Sequence, residues 1–142
     1  MSTAINGNIL TPDGWVRGAI RFGKRIDAIE GAAGDPAING DDYIIPGFVD
    51  LHVHGAGGKD IMQGGDAPQV VAKMHAKHGT TSLLATTMTA PPEDIVAALK
   101  AVGVACANPV AGSARILGVH LEGPYINSGK LGAQPPYARS AT

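Results

Sequence analysis

The chain has 142 residues, enough for one domain of ordinary size with a real core, and a net charge of −1 that gives no reason to expect nucleic acid or a membrane surface as partner. Its single cysteine, Cys106, excludes an internal disulfide framework and fits a reducing compartment. Glycine (20) and proline (10) are plentiful and aromatics are only 4%, so turns should be numerous and burial must come from Ala, Val, Ile and Leu.

No apolar run reaches the roughly 18 residues of a membrane span. The start, MSTAINGNIL, lacks the basic-then-apolar pattern of a signal peptide, so a cytoplasmic location is expected. Ala4–Leu10, Gly14–Phe22 and Arg25–Glu30 are β-prone runs separated by Pro12-Asp13-Gly14 and Gly23-Lys24 turns. Residues 31–42 have loop composition. Trp15 and Tyr43 are read as packing residues. The pattern changes at Ile44. A strand follows through Phe48–His54, then a glycine turn at Gly55–Asp60. Pro68–His78 repeats apolar residues (Val70, Val71, Met74) at helical spacing, and Gly79 suits the position just past a helix end. Thr80–Met88 reads as a buried strand. Pro91-Pro92 opens a helix whose apolar stripe is Ile95, Val96, Leu99 and Val102, with Cys106 as a small core residue. Ala114–Leu121 is a further strand, and residues 127–142 have loop composition.

Strand, helix, strand, helix, strand over residues 44–126 argues for parallel strands joined by helical crossovers. The order fits a doubly wound sheet or part of a (β/α)₈ barrel. A whole barrel takes roughly 250 residues, so about three of its units are expected here, and the chain reads as a piece of a longer protein.

Three groups are candidates for chemistry. His52 and His54 alternate onto one face at a strand's C-terminal end, with Asp50 below them and Gly55 next, while Val49, Leu51 and Val53 share the other face and are expected to pack against covering helices. Imidazole pairs there suit a divalent metal, or are hydrogen-bonded in a polar crevice. Asp50 either orients a ligand or is a satisfied carboxylate. His120 and Glu122 form a second i, i+2 pair at another strand end, closed by Gly123-Pro124. Glu122, at the rim, is the ligand candidate, with salt-bridged or capping carboxylate as the alternative, and His120 is support. Gly55-Ala56-Gly57-Gly58-Lys59-Asp60 fails the dinucleotide fingerprint, because Asp60 stands in place of the last glycine, and fails the P-loop pattern. It reads as a tight strand-to-helix turn. His75 and His78, three apart on a helix, could meet a metal together, but His78 precedes Gly79 at the helix C-terminus, where cationic side chains offset exposed carbonyls, and that surface role is the one expected. Thr86 and Thr87 end the second strand and are placed at the same mouth as the histidines, with β-propensity alone as the alternative explanation.

Pro46-Gly47-Phe48-Val49-Asp50-Leu51-His52-Val53-His54-Gly55 resembles the first barrel strand of the amidohydrolase superfamily. His120-Leu121-Glu122-Gly123-Pro124-Tyr125, followed by Lys130-Leu131-Gly132-Ala133-Gln134-Pro135, resembles the N-acetylglucosamine-6-phosphate deacetylase family. The resemblance implies part of a small β-sandwich domain over residues 1–46 and the first units of an incomplete barrel over 47–142. It implies metal-dependent hydrolysis of N-acetyl-D-glucosamine 6-phosphate to D-glucosamine 6-phosphate and acetate. Glu122, His52 and His54 match metal ligands, for one ion or two, with zinc expected first and iron or manganese as alternatives. Ala133 and Gln134 match substrate-contacting positions; some members carry histidine at the latter. The catalytic aspartate and two more histidine ligands are expected beyond Thr142, so the chain alone should be inactive, and the full-length protein is expected to be a homodimer acting on a small amino-sugar phosphate. The rival readings are another amidohydrolase, such as a cyclic amidase or deaminase, or a non-catalytic piece that binds metal or assembles with a complementary chain.

Overall fold

The computed structural model describes residues 2–141. The chain divides into two compact units between Pro46 and Gly47.

The first unit is a four-stranded sheet in the order β3-β2-β1-β4. Strand β1 (Thr3–Thr11) turns through Pro12-Asp13 into β2 (Gly14–Phe22), which pairs antiparallel with β3 (Ile26–Ala33). The two-residue β4 (Tyr43–Ile44) lies parallel to β1. The third strand thus runs three residues further than its expected end, into the segment assigned to loop; Gly31 and Ala32 extend the ladder by pairing with Gly18 and Arg17. Gly7, Gly18 and Gly31 stand in register across the three strands, so that row of the sheet bears no side chains. Burial in this unit is slight. Ile9 is buried, as is Asn8, whose amide exchanges hydrogen bonds of 2.8 and 2.9 Å with Asn39 and donates to the Asp41 carbonyl. Trp15 and Tyr43 meet edge to face at 5.5 Å, the packing role expected of them.

The second unit carries the candidate site. Strand β5 (Phe48–Val53) is followed by a small hairpin, β6 (Gly55–Ala56) and β7 (Lys59–Asp60). Gly57 and Gly58 turn it with φ of +63° and +78°, the double positive φ that a tight two-residue turn demands. Asp60 then caps a single 3₁₀ turn, Ile61–Gln63, accepting from the Met62 N–H at 2.7 Å. The glycine segment is therefore a hairpin plus a capped turn rather than a direct strand-to-helix turn. Helix α1 (Ala67–Ala76) leads to β8 (Thr80–Thr86), and helix α2 (Pro92–Ala107) leads to β9 (Arg115–His120). The three longer strands form a parallel sheet in the order β5-β8-β9. With each successive pair joined through a helix, this is the expected mixed α/β alternation.

The core lies between this sheet and its helices. Leu83 and Ala85 of the central strand, Val71 and Ala72 of α1, Val102 and Ala105 of α2, and Val53, Ile61, Ala114 and Ile116 form one buried cluster, with Cys106 packed against it. Two details differ from the sequence pattern. On α2 the buried stripe is Ile95, Ala98, Val102 and Ala105, while Val96 is exposed: the helix packs through alanines that allow close approach. On β5 only Val53 of the alternating apolar set is buried. Val49 and Leu51 remain exposed because β5 is an edge of the sheet. Among the described residues no helix is long and apolar enough to cross a membrane.

Leu83 is fully buried at the centre of the sheet, so Leu83→Ala removes apolar burial and leaves a cavity. The expected loss is about 2–5 kcal/mol in denaturant unfolding. Val104→Ala, at an exposed position of α2, should stay within about 0.5 kcal/mol.

Candidate metal centre

The backbone of β5 is held at His52 and at Val53, the residue between the two histidines. Asp50 Oδ1 accepts the His52 main-chain N–H at 3.1 Å, and Thr86 Oγ1 accepts the Val53 N–H at 2.8 Å. The ladder between β5 and β8 is irregular between Asp50 and Val53, and the Thr86 hydroxyl supplies a partner in that gap. Alternation then puts the two rings on one face, as their spacing requires, at a centroid separation of 4.8 Å.

Glu122 arrives from the far side of the sheet. It lies two residues beyond the end of β9, where the ladder has stopped. Thr87 replaces the ladder. Its Oγ1 accepts the Glu122 N–H at 3.1 Å and donates to the Glu122 carbonyl at 3.3 Å, and its own N–H donates to the His120 carbonyl at 3.1 Å. Thr86 and Thr87 are completely buried. They do not line an open mouth as expected, because their hydroxyls face main-chain groups of the two flanking segments, one on each side. Gly123 follows with φ +73°, and a β-carbon there would lie 2.2 Å from the Thr89 hydroxyl oxygen, so this corner admits only glycine.

β5 and β9 are not neighbours; β8 lies between them. Their side chains nevertheless meet. His120 Nδ1 stands 3.2 Å from the Leu51 carbonyl oxygen, an acceptor, so that nitrogen carries the proton. The His120 ring packs edge to face on His52 with centroids 4.8 Å apart, the supporting role expected of it. One level nearer the rim, Glu122 Oε2 is 3.2 Å from His52 Nε2 and 3.1 Å from His54 Nε2, and the two nitrogens are 3.0 Å apart. Such meetings need a curled sheet and a central strand that ends in small side chains.

The three atoms form a nearly equilateral triangle. Glu122 Oε2 is buried and, despite its two close nitrogens, has no partner in hydrogen-bond geometry among the described residues. One proton can lie between only two of these atoms, whereas a cation can face all three. Tetrahedral bonds of about 2.1 Å place donors about 3.4 Å apart, close to the separations here. The donor set of two imidazoles and a carboxylate is also one that zinc and related divalent metals accept. The residues therefore fit a divalent metal. Exposure falls from His52 (51%) to His54 (32%) and Glu122 (30%), so the triangle is open on one side.

The other candidates lie elsewhere. Asp50 serves the β5 backbone, and its second oxygen is 4.0 Å from His75 Nδ1 on α1. His75 is thus half-buried beside a carboxylate, whereas His78 is exposed past the helix end. Ala133 is exposed. Gln134 lies at the cluster, donating from Nε2 to Glu122 Oε1 at 2.7 Å while its Oε1 accepts the Thr89 N–H at 2.7 Å. The bracing by Thr87 and Thr89 was missed in the sequence. The available signal was a run of hydroxyl residues, Thr86-Thr87-Met88-Thr89, at the point where the central strand runs out of ladder partners.

No protein-family model matches the chain. It is 40% identical over 133 residues to the N-acetylgalactosamine-6-phosphate deacetylase of Escherichia coli O157:H7, covering 90% of this chain and 34% of that protein. It is 36% identical over 141 residues to the N-acetylglucosamine-6-phosphate deacetylase of Rattus norvegicus, covering 94% of this chain and 34% of that protein. The crystal structure of N-acetylglucosamine-6-phosphate deacetylase from Thermotoga maritima superposes with a TM-score of 0.81 at 30% identity, covering 99% of this chain and 38% of that one. The chain spans about a third of the length of the curated relatives it matches.

Thr86→Val keeps the shape of a buried side chain but leaves the Val53 N–H between the two histidines without its acceptor. Unfolding measurements should show a loss of about 1–3 kcal/mol. Thr86→Ser keeps the hydroxyl and should lose less, despite the missing methyl. The reverse order would refute the bracing role.

Proposed function

We propose that this chain, a homologue of N-acetylated amino-sugar-phosphate deacetylases over about a third of their length, is the N-terminal portion of such an enzyme. In this reading the protein hydrolyses N-acetyl-D-glucosamine 6-phosphate to D-glucosamine 6-phosphate and acetate. The observation that carries it is the convergence of His52, His54 and Glu122, the residues named by the HxH and HLEGPY resemblance, on one point at the C-terminal end of a parallel sheet.

The roles follow from the geometry. His52 Nε2, His54 Nε2 and Glu122 Oε2 would hold a divalent metal, zinc in the first instance, with iron or manganese as alternatives, as one ion or part of a pair. Such an ion lowers the pKa of water and polarises a carbonyl. The protein's own residues do the positioning. Thr86 and Asp50 hold the backbone of the histidine strand, Thr87 holds that of Glu122, and His120 supports the His52 ring from beneath. The Glu122 carboxylate carries the charge that favours a cation there. Ala133 and Gln134, in the segment after Glu122, are the proposed substrate contacts. Residues 1–46 would be part of a small β-sandwich domain, and 47–142 the first three strands of a (β/α)₈ barrel. The meeting of side chains from β5 and β9 in front of β8 supports the barrel, because barrel interiors are layered by residues of alternate strands. A cytoplasmic location and a full-length homodimer belong to the same reading.

A second reading is favoured by one observation. Only three metal-competent side chains of the described residues join the cluster, and no further carboxylate stands there to move a proton. This chain by itself would then bind metal without turning over substrate.

Acetate release tests both. The full-length protein with Zn²⁺ should release acetate from N-acetylglucosamine 6-phosphate, and Glu122→Gln should lower kcat/KM by more than about 100-fold, beyond the effect typical of outer-shell changes. No acetate from that sugar but release from N-acetylgalactosamine 6-phosphate would move the substrate to the epimer. No acetate from either would refute the deacetylase reading. The 142-residue chain alone should release none.

A further inference from the structure

We propose that Gln134 is a positioning residue for Glu122, itself oriented by the main-chain N–H of Thr89; the inference rests on reading His52, His54 and Glu122 as a metal centre.

The argument begins with which way the Gln134 amide faces. A main-chain N–H can only donate, so the group 2.7 Å from the Thr89 nitrogen must be the amide oxygen. The NH₂ end is then turned toward Glu122 and donates to Oε1 at 2.7 Å. That is a charge-assisted bond to a carboxylate, among the stronger kinds. With Oε1 held, the carboxylate cannot rotate freely about its last bond, and Oε2 is presented to both imidazole nitrogens. Thr89 is a firm anchor because it is fully buried and packed against Gly123.

Two supports of Glu122 therefore originate in one short segment. Thr87 grips the Glu122 main chain directly. Two residues later, Thr89 reaches its side chain through Gln134, which is supplied by the loop that follows the 3₁₀ turn at Ser128–Lys130. The turn that leads into this loop is held by a separate interaction, in which Asn127 Oδ1 accepts the Gly129 N–H at 2.8 Å, and within the loop the Gln134 N–H donates to the Leu131 carbonyl at 3.0 Å. Gln134 retains a second Nε2 hydrogen, so a substrate contact from the same side chain is compatible with this role.

The test uses the full-length protein and two readouts: Zn²⁺ affinity by chelator competition, and the visible absorption bands of the Co²⁺-loaded form. Gln134→Met keeps the volume and removes both hydrogen bonds. It should weaken Zn²⁺ binding by about 10–100-fold and alter the Co²⁺ bands. Asn127→Ala uncaps the turn that leads into the loop without touching Glu122 and should leave affinity within about twofold, well below the change expected of Gln134→Met. If Gln134→Met fails to fold by circular dichroism, Gln134→Ala is judged by the same readouts. Unchanged affinity and bands in the Gln134 variant, with affinity lost in Glu122→Gln, would overturn the positioning role and leave the metal centre standing. Equal loss in Asn127→Ala would assign the effect to loop order and overturn it too. Unchanged affinity in Glu122→Gln would overturn the metal centre, and this inference with it.

Discussion

Three lone-pair-bearing atoms stand within 3.2 Å of one another at the edge of a parallel sheet, and the local structure exists to hold them there. Left without a cation or proton, such a group is repulsive, and it is expensive to keep in partly buried surroundings. It persists only if the segments that carry it are fixed independently. The threonines at the end of β8 do this, each with its hydroxyl on the main chain of a different flanking segment.

The same requirement explains the choice of residues along the central strand. Leu83 and Ala85 point into the helix-covered core, which makes the sheet stable. The strand ends in small hydroxyl residues, Thr86 and Thr87, and His120 and Glu122 reach across in front of it to β5. Stability and site are thus divided along one strand, the core residues in its middle and the bracing threonines at its end.

Much of this could be read in advance. The alternation of strands and helices over residues 44–126, the shared face of His52 and His54, and the rim-over-support order of Glu122 and His120 follow from period-two alternation and from where strands end. The HLEGPY and LGAQPP stretches carried the likeness to deacetylases, which the curated homologues bear out. What could not be read depends on tertiary contacts. Val96 fits a helical stripe but faces outward because Ala98 gives closer packing. Val49 and Leu51 alternate correctly yet remain exposed on an edge strand. The contacts from Thr87 to Glu122 and from Thr89 through Gln134 join residues 35 and 45 positions apart, and no local pattern announces them.

X-ray absorption at the zinc edge, on the loaded full-length protein, tests the central claim most directly. A shell of nitrogen and oxygen at about 2.0–2.1 Å is expected. It should carry outer-shell scattering from imidazole that falls in His52→Asn/His54→Asn. A spectrum with the same imidazole scattering in that double variant would contradict the account, because the pair at Asp50–Gly55 would then not be holding the metal.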